Sequence, residues 1–223
     1  MTKKLFFEAI IKFSLGVVLV GILIFLPAGT FLYFNGWLLM CVLFIPMLLA
    51  GIVMMLKNPD LLKSRLDAKE KQGEQGIVVK LSGLMFIIGF VVAGFGIRFN
   101  WYVLPKSVVI GATIIFIICY LLYAEVLREN KYLSRTIEVK ENQKVIDAGL
   151  YGIVRHPMYS VTLFLFLSIP IILGSVYSFL IFLSYPFIII KRIKHEEAFL
   201  EQKLDGYREY KQKVKYRLLP FIW

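Results

Sequence analysis

Apolar residues fill four near-continuous tracts, roughly 9–26, 36–56, 78–97 and 108–126, each ending in charge, proline or glycine. About 20 apolar residues carry a helix across a ~30 Å hydrocarbon core, so each tract predicts one membrane span. A fifth tract, 159–190, has roughly 32 residues, too many for a single crossing. Gly174 and Ser175 lie in its middle, and the pattern predicts two short helices folded as a hairpin. That gives six spans, or four plus a re-entrant pair. Beyond it, Ile193, Leu200, Leu204 and Tyr207 recur near helical spacing, so the last span is expected to continue as an amphipathic helix, interrupted at Gly206. The fold class predicted is all-α: a polytopic integral membrane protein of about five to six membrane helices, with a C-terminal helical hairpin and an amphipathic cytoplasmic tail. Residues 1–126 form its four-helix front and 127–223 its second region, within one structural unit.

Finer features add local expectations. Tyr33 and Trp37 stand where interfacial aromatics are found. Gly83, Gly89, Gly94 and Gly96 give the third span small residues for close helix packing. Asp60 after Pro59 predicts a short surface helix with Leu61, Leu62 and Leu66 turned to the bilayer. Glu125 and Arg128, one turn apart, predict an ion pair. The short alternating stretches 136–139 and 144–146 predict extended segments lying over a site.

Composition agrees with this pattern, since 59% hydrophobic residues and a mean hydropathy of +0.74 exclude an ordinary soluble domain. The net charge of +11 raises the question of nucleic acid, but its distribution argues against that partner. Lysine and arginine crowd the N-terminus, 57–80, 128–155 and 191–217, while the intervening loops are nearly free of them. That alternation is what the positive-inside rule produces with both termini in the cytoplasm. Cys41 and Cys119 fall inside apolar spans, so neither a disulfide framework nor a thiolate metal site is expected. The first apolar run has no good cleavage site after it and reads as a retained helix.

Polar chemistry concentrates in two places. Tyr151, Arg155, His156, Pro157, Met158 and Tyr159 stand at the mouth of the last apolar tract. Polar groups at such a boundary cost free energy unless something binds to them, and the alternative is an interfacial anchor that binds nothing in particular. Pro157 suits the first turn of a helix whose free N–H groups and dipole attract anions. Arg155 adds a fixed charge and bidentate donors. The second place is Arg192 with Glu196 and Glu197, just past the same tract. If the hairpin folds back, Arg155, His156, Arg192 and Glu196 share one pocket, with a carboxylate for a cation and cationic groups for an anion. A metal site would need more histidines at ligand spacing, and no nucleophile triad or nucleotide-binding glycine loop stands out.

In this order, with Gln143, Lys144, Val145 and Ile146 ahead of Gly149-Leu150-Tyr151, the chain resembles the isoprenylcysteine carboxyl methyltransferase family, part of a wider phospholipid methyltransferase group. The resemblance runs from about 130 to 223. Residues 58–66 also resemble bacterial members. It implies an integral membrane enzyme of the bacterial cell membrane, with its site in the cytoplasm. The cofactor implied is S-adenosylmethionine, and the acceptor a lipophilic or lipidated molecule entering from the bilayer. The resemblance puts the cofactor against Gln143, Lys144, Val145, Ile146, Tyr151, His156, Pro157, Met158, Tyr159 and Glu196, with Arg155 and Glu197 beside them. It makes Arg192 the arginine needed for activity near the substrate. Leu150 departs from the pattern, because many members have proline there. A carboxylate acceptor is favoured; phospholipid N-methylation is the alternative. Membrane sterol reductases, which bind NADPH, also carry a His-Pro-x-Tyr stretch, but they have asparagine at the position of Met158 and lack the Glu pair.

Overall fold

The computed structural model describes residues 3–66, 73–130, 132–133, 139 and 141–223. Residues 136–138 of the predicted alternating stretch therefore lie outside the described residues. The predicted tracts become α1 (Lys3–Ala28), α2 (Phe34–Lys57), α4 (Gly73–Arg98) and α5 (Lys106–Glu129), of 24 to 26 residues each. At 1.5 Å per residue such helices are about 36–39 Å long, enough to cross a bilayer. The short α3 (Pro59–Leu66) follows α2. Among the described residues, five helical stretches are long and apolar enough to span, and the chain is an all-α multi-pass membrane protein.

The last apolar tract differs from a simple hairpin of two helices. It forms α6 (Pro157–Ile172), α7 (Val176–Phe182) and α8 (Tyr185–Lys203). The turn at Gly174-Ser175 is where the pattern put it: Gly174 has φ +73°, and the Ser175 hydroxyl caps α7 by accepting from Ser178 N at 3.2 Å. The second break has a separate cause. Pro186 has no N–H to bond the Phe182 carbonyl, so the helix is interrupted at Leu183-Ser184 before resuming. Even so, the 28 residues 176–203 are together long and apolar enough for one crossing, whereas α6 alone is short of the membrane thickness. α9 (Tyr207–Lys213) completes the helices, turned away from α8 by the left-handed Gly206.

The loops at one end of the bundle are closed by backbone groups. Leu104 N donates to Gly174 O at 2.9 Å, and Val103 pairs with Ser175. Tyr33 corrects its expected role here: it is buried, and its hydroxyl donates to Leu173 O at 2.5 Å rather than facing headgroups. Trp37 does stay exposed. Two of the four α4 glycines make close packing possible. A Cβ at Gly94 would sit 2.6 Å from Ile24 O of α1, and one at Gly89 would overlap the Phe182 ring, whereas Gly83 faces open space. Leu61 and Leu62 are also corrected, being buried within the fold rather than turned to the bilayer. Asn58 rather than Asp60 caps that helix, its side chain accepting from Leu61 N at 3.1 Å.

Candidate functional site

At the opposite end of the bundle, the first turn of α6 is set by a non-helical residue followed by proline. His156 has φ −125° and ψ 61°, and Pro157 occupies the first helical turn. The N–H groups of Arg155 and His156 donate to Tyr216 O and Arg217 O, each at 2.9 Å. Ser160 Oγ donates to Leu218 O at 2.6 Å. The C-terminal tail is thereby strapped along the Arg-His-Pro stretch. Upstream, Gly149 at φ +59° opens a 3₁₀ turn, Gly149–Gly152, where a Cβ would overlap the Glu129 carboxylate. That carboxylate accepts from Leu150 N at 2.9 and 3.1 Å. Proline at position 150 would lack this N–H, so the family departure here adds a hydrogen bond to the turn.

Glu196 and Glu197 are adjacent, yet they serve opposite surroundings. Glu197 is buried, 3% exposed, and its Oε1 accepts from Arg155 Nε at 2.7 Å and lies 3.2 Å from His156 Nε2. Its Oε2 accepts from Arg217 Nε at 3.0 Å. Arg155 is further held by the carbonyls of Val214 and Lys215, at 2.7 and 2.8 Å. Arg217 stacks over Trp223 with 5.0 Å to the ring centroid. Glu196 instead takes one hydrogen bond, from the Tyr159 hydroxyl at 2.5 Å. That same hydroxyl accepts from Arg192 Nε at 2.9 Å, so Tyr159 links the arginine to the carboxylate. The rings of His156 and Tyr159 stack at 25° with centroids 5.7 Å apart.

Around the Glu196 side of α8 lies a cleft with a cavity volume of about 110 Å³. It is lined by Gln143, Lys144, Val145 and Ile146 from the covering segment, by Tyr151, and by Arg155, His156, Met158 and Tyr159. Arg192 and Glu196 close it from α8. Two of the residues singled out from sequence do not face it. Glu197 is turned to the buried cluster behind, and Pro157 lines a separate apolar groove between α5, α6 and the tail. The cleft also includes Asn130, Leu200, Leu204, Tyr207 and Tyr210, which the sequence reading did not single out as a site. For Leu200, Leu204 and Tyr207 the signal was present as helical periodicity, but that pattern alone does not say whether such a face meets lipid or a cleft.

Burial holds three phenols of the cleft, Tyr151, Tyr207 and Tyr210, in the protonated form. Burial pushes Tyr151 up, despite a hydrogen bond from Asn130 Nδ2 at 3.0 Å. Tyr210 is likewise raised by burial and donates to Tyr151 O at 2.7 Å. Tyr207 is raised by burial, with the charges of Glu197 and Glu196 adding to it. Asp147 is lowered by its hydrogen bond and ion pair with Lys213, 2.6 Å apart, which pins the covering segment to α9.

No curated protein matches this chain. Residues 106–205 match the family model described as phospholipid methyltransferase. The match begins at the start of α5 and ends just past α8, so it contains both the Arg155–Tyr159 stretch and the Arg192–Glu197 stretch. Over that region the chain is similar to the phospholipid methyltransferases, and among the described residues five helical stretches are long and apolar enough to span a membrane.

Proposed function

We propose that the protein transfers a methyl group from S-adenosylmethionine to a lipophilic acceptor, most favourably a carboxylate, as in isoprenylcysteine carboxyl O-methylation. The observation that carries this reading is the meeting of Arg192, Tyr159 and Glu196 in one cleft, beside the Arg155-His156 stretch. The donor set suits the cofactor. Glu196 offers a carboxylate to its hydroxyls or ammonium group, Tyr151 and Tyr159 offer aromatic faces, and Val145, Leu200 and Leu204 offer apolar walls. When bound, S-adenosylmethionine supplies an electrophilic methyl group on a sulfonium. The apolar walls exclude water, which strengthens the electrostatics inside the cleft. Arg192 orients the acceptor anion, and its bond to Tyr159 fixes that arginine relative to Glu196. Basic loops at the site's end of the bundle support a cytoplasmic site by the positive-inside rule, in keeping with an enzyme of the bacterial cell membrane.

A guanidinium near the acceptor favours a carboxylate, which is already a nucleophile at neutral pH. An ammonium acceptor would be repelled and would have to lose a proton first. The second reading, phospholipid N-methylation, is favoured by the description of the matched family. Radiolabelled S-adenosylmethionine supplied to membranes containing the protein separates the two. The expected label is lipophilic and released by base, as an ester is; a base-stable label moves the assignment to the amine. Arg192→Ala should abolish labelling while sparing the affinity for S-adenosylhomocysteine measured by calorimetry. Equal loss of both would overturn the role given to Arg192. An absence of S-adenosylhomocysteine binding by the unaltered protein would overturn the cofactor.

A further inference from the structure

Among the described residues, every buried phenol hydroxyl around the cleft has a hydrogen-bond partner except one. Tyr151 accepts from Asn130, Tyr159 bridges Arg192 and Glu196, and Tyr210 donates to the Tyr151 carbonyl. Tyr207 is 4% exposed, and its hydroxyl has no hydrogen-bond partner among the described residues. Its residue lines the cleft. A buried hydroxyl without a partner destabilises the fold that holds it, because it has lost water and gained nothing. Its placement is also enforced. Gly206 takes the left-handed conformation, φ +80°, which turns the chain so that Tyr207 opens α9 toward α8. The ring itself packs in a small cluster with Leu204, Tyr210 and Val214. Packing needs the ring and not the oxygen, so phenylalanine would serve the fold as well.

We propose that the Tyr207 hydroxyl is a positioning group that donates a hydrogen bond to an acceptor atom of the bound adenosyl compound. The proposal rests on the cofactor reading above and adds a residue to it outside the region matched by the family model, which ends at 205. Burial keeps the phenol protonated, so it acts as a donor. The partner must then offer a lone pair, which the cofactor has on its amino-acid carboxylate, its ribose hydroxyls and its adenine ring nitrogens.

Tyr207→Phe tests this because the two effects it should have are of opposite sign. Without ligand, the variant should be as thermally stable as the unaltered protein or more so, since an unpartnered polar atom has been removed. Its affinity for S-adenosylhomocysteine should fall about tenfold, the worth of one ordinary hydrogen bond. Repeating the titration with 5′-methylthioadenosine, which has no amino-acid portion, locates the partner. A loss retained with that ligand assigns the bond to the nucleoside, and a loss confined to S-adenosylhomocysteine assigns it to the carboxylate. Unchanged affinity for both ligands would overturn the proposal while leaving the cofactor reading intact. A lowered melting temperature without ligand would overturn it as well, showing that the hydroxyl serves the fold. If the unaltered protein binds neither ligand, the cofactor reading fails and this inference fails with it.

Discussion

The two sides of α8 place neighbouring carboxylates in contrasting roles. Toward the bundle and the tail, Glu197 is buried among Arg155, His156 and Arg217, with both oxygens occupied. Toward the cleft, Glu196 is half-buried and holds a single tyrosine hydroxyl. One side spends its polar groups on one another and so holds α6, α8 and the tail together. The other keeps hydrogen-bonding capacity in reserve, in Glu196 and in the unpartnered Tyr207 hydroxyl. The difference teaches that a pair of acidic residues next to a membrane cannot be read as one motif. Helical geometry turns successive side chains by about 100°, so adjacent positions face different surroundings.

The contrast breaks most severely at Glu197→Ala. Removing the carboxylate leaves Arg155 buried without its counter-charge, and taking one partner from a buried pair destabilises by about 3–5 kcal/mol. The expected result is a large fall in the melting temperature of the detergent-solubilised protein, and release of the tail strap to protease. An unaltered melting temperature would mean that the cluster does not hold the strap. Next in size is Arg217→Ala. This arginine is 27% exposed at its side chain, and Glu197 keeps its other two partners, so we expect about 1 kcal/mol once solvent screening is allowed for. The same melting assay reads it, and affinity for S-adenosylhomocysteine should not change.

Much of the architecture was legible in the sequence, because bilayer thickness sets span length and apolar tracts of that length leave little choice. The turn at Gly174 and the Glu125–Arg128 pair, 2.8 Å at its Nε contact, were legible from local rules alone. The convergence of the Arg155 and Arg192 stretches followed from a hairpin returning to the same end. Other features needed the third dimension. Leu61 and Leu62 point inward because α3 packs on α2 and α1, which no pattern within α3 reveals. Tyr33 looked interfacial because its partner, the Leu173 carbonyl, lies 140 residues away. The division of labour between Glu196 and Glu197 depends on where the tail returns, and Tyr216 and Arg217 contribute carbonyls that leave no mark on the sequence.

The smallest effect on stability, and the sharpest test of the contrast, is expected at Glu196→Ala. The substitution takes away one acceptor, from a hydroxyl that still receives Arg192 Nε, at a position partly open to solvent. The loss should be about 1 kcal/mol or less, the net worth of a single hydrogen bond. If Glu196 binds the cofactor, affinity for S-adenosylhomocysteine should fall far more, by about 10- to 100-fold, the range for hydrogen bonds to a charged group. Glu197→Ala would lower both properties together because it unravels the end of the bundle. Glu196→Ala should separate them, leaving a folded protein that has lost its ligand. A melting temperature that falls as far as it does for Glu197→Ala would make both carboxylates structural and remove the basis for treating the two sides of α8 differently.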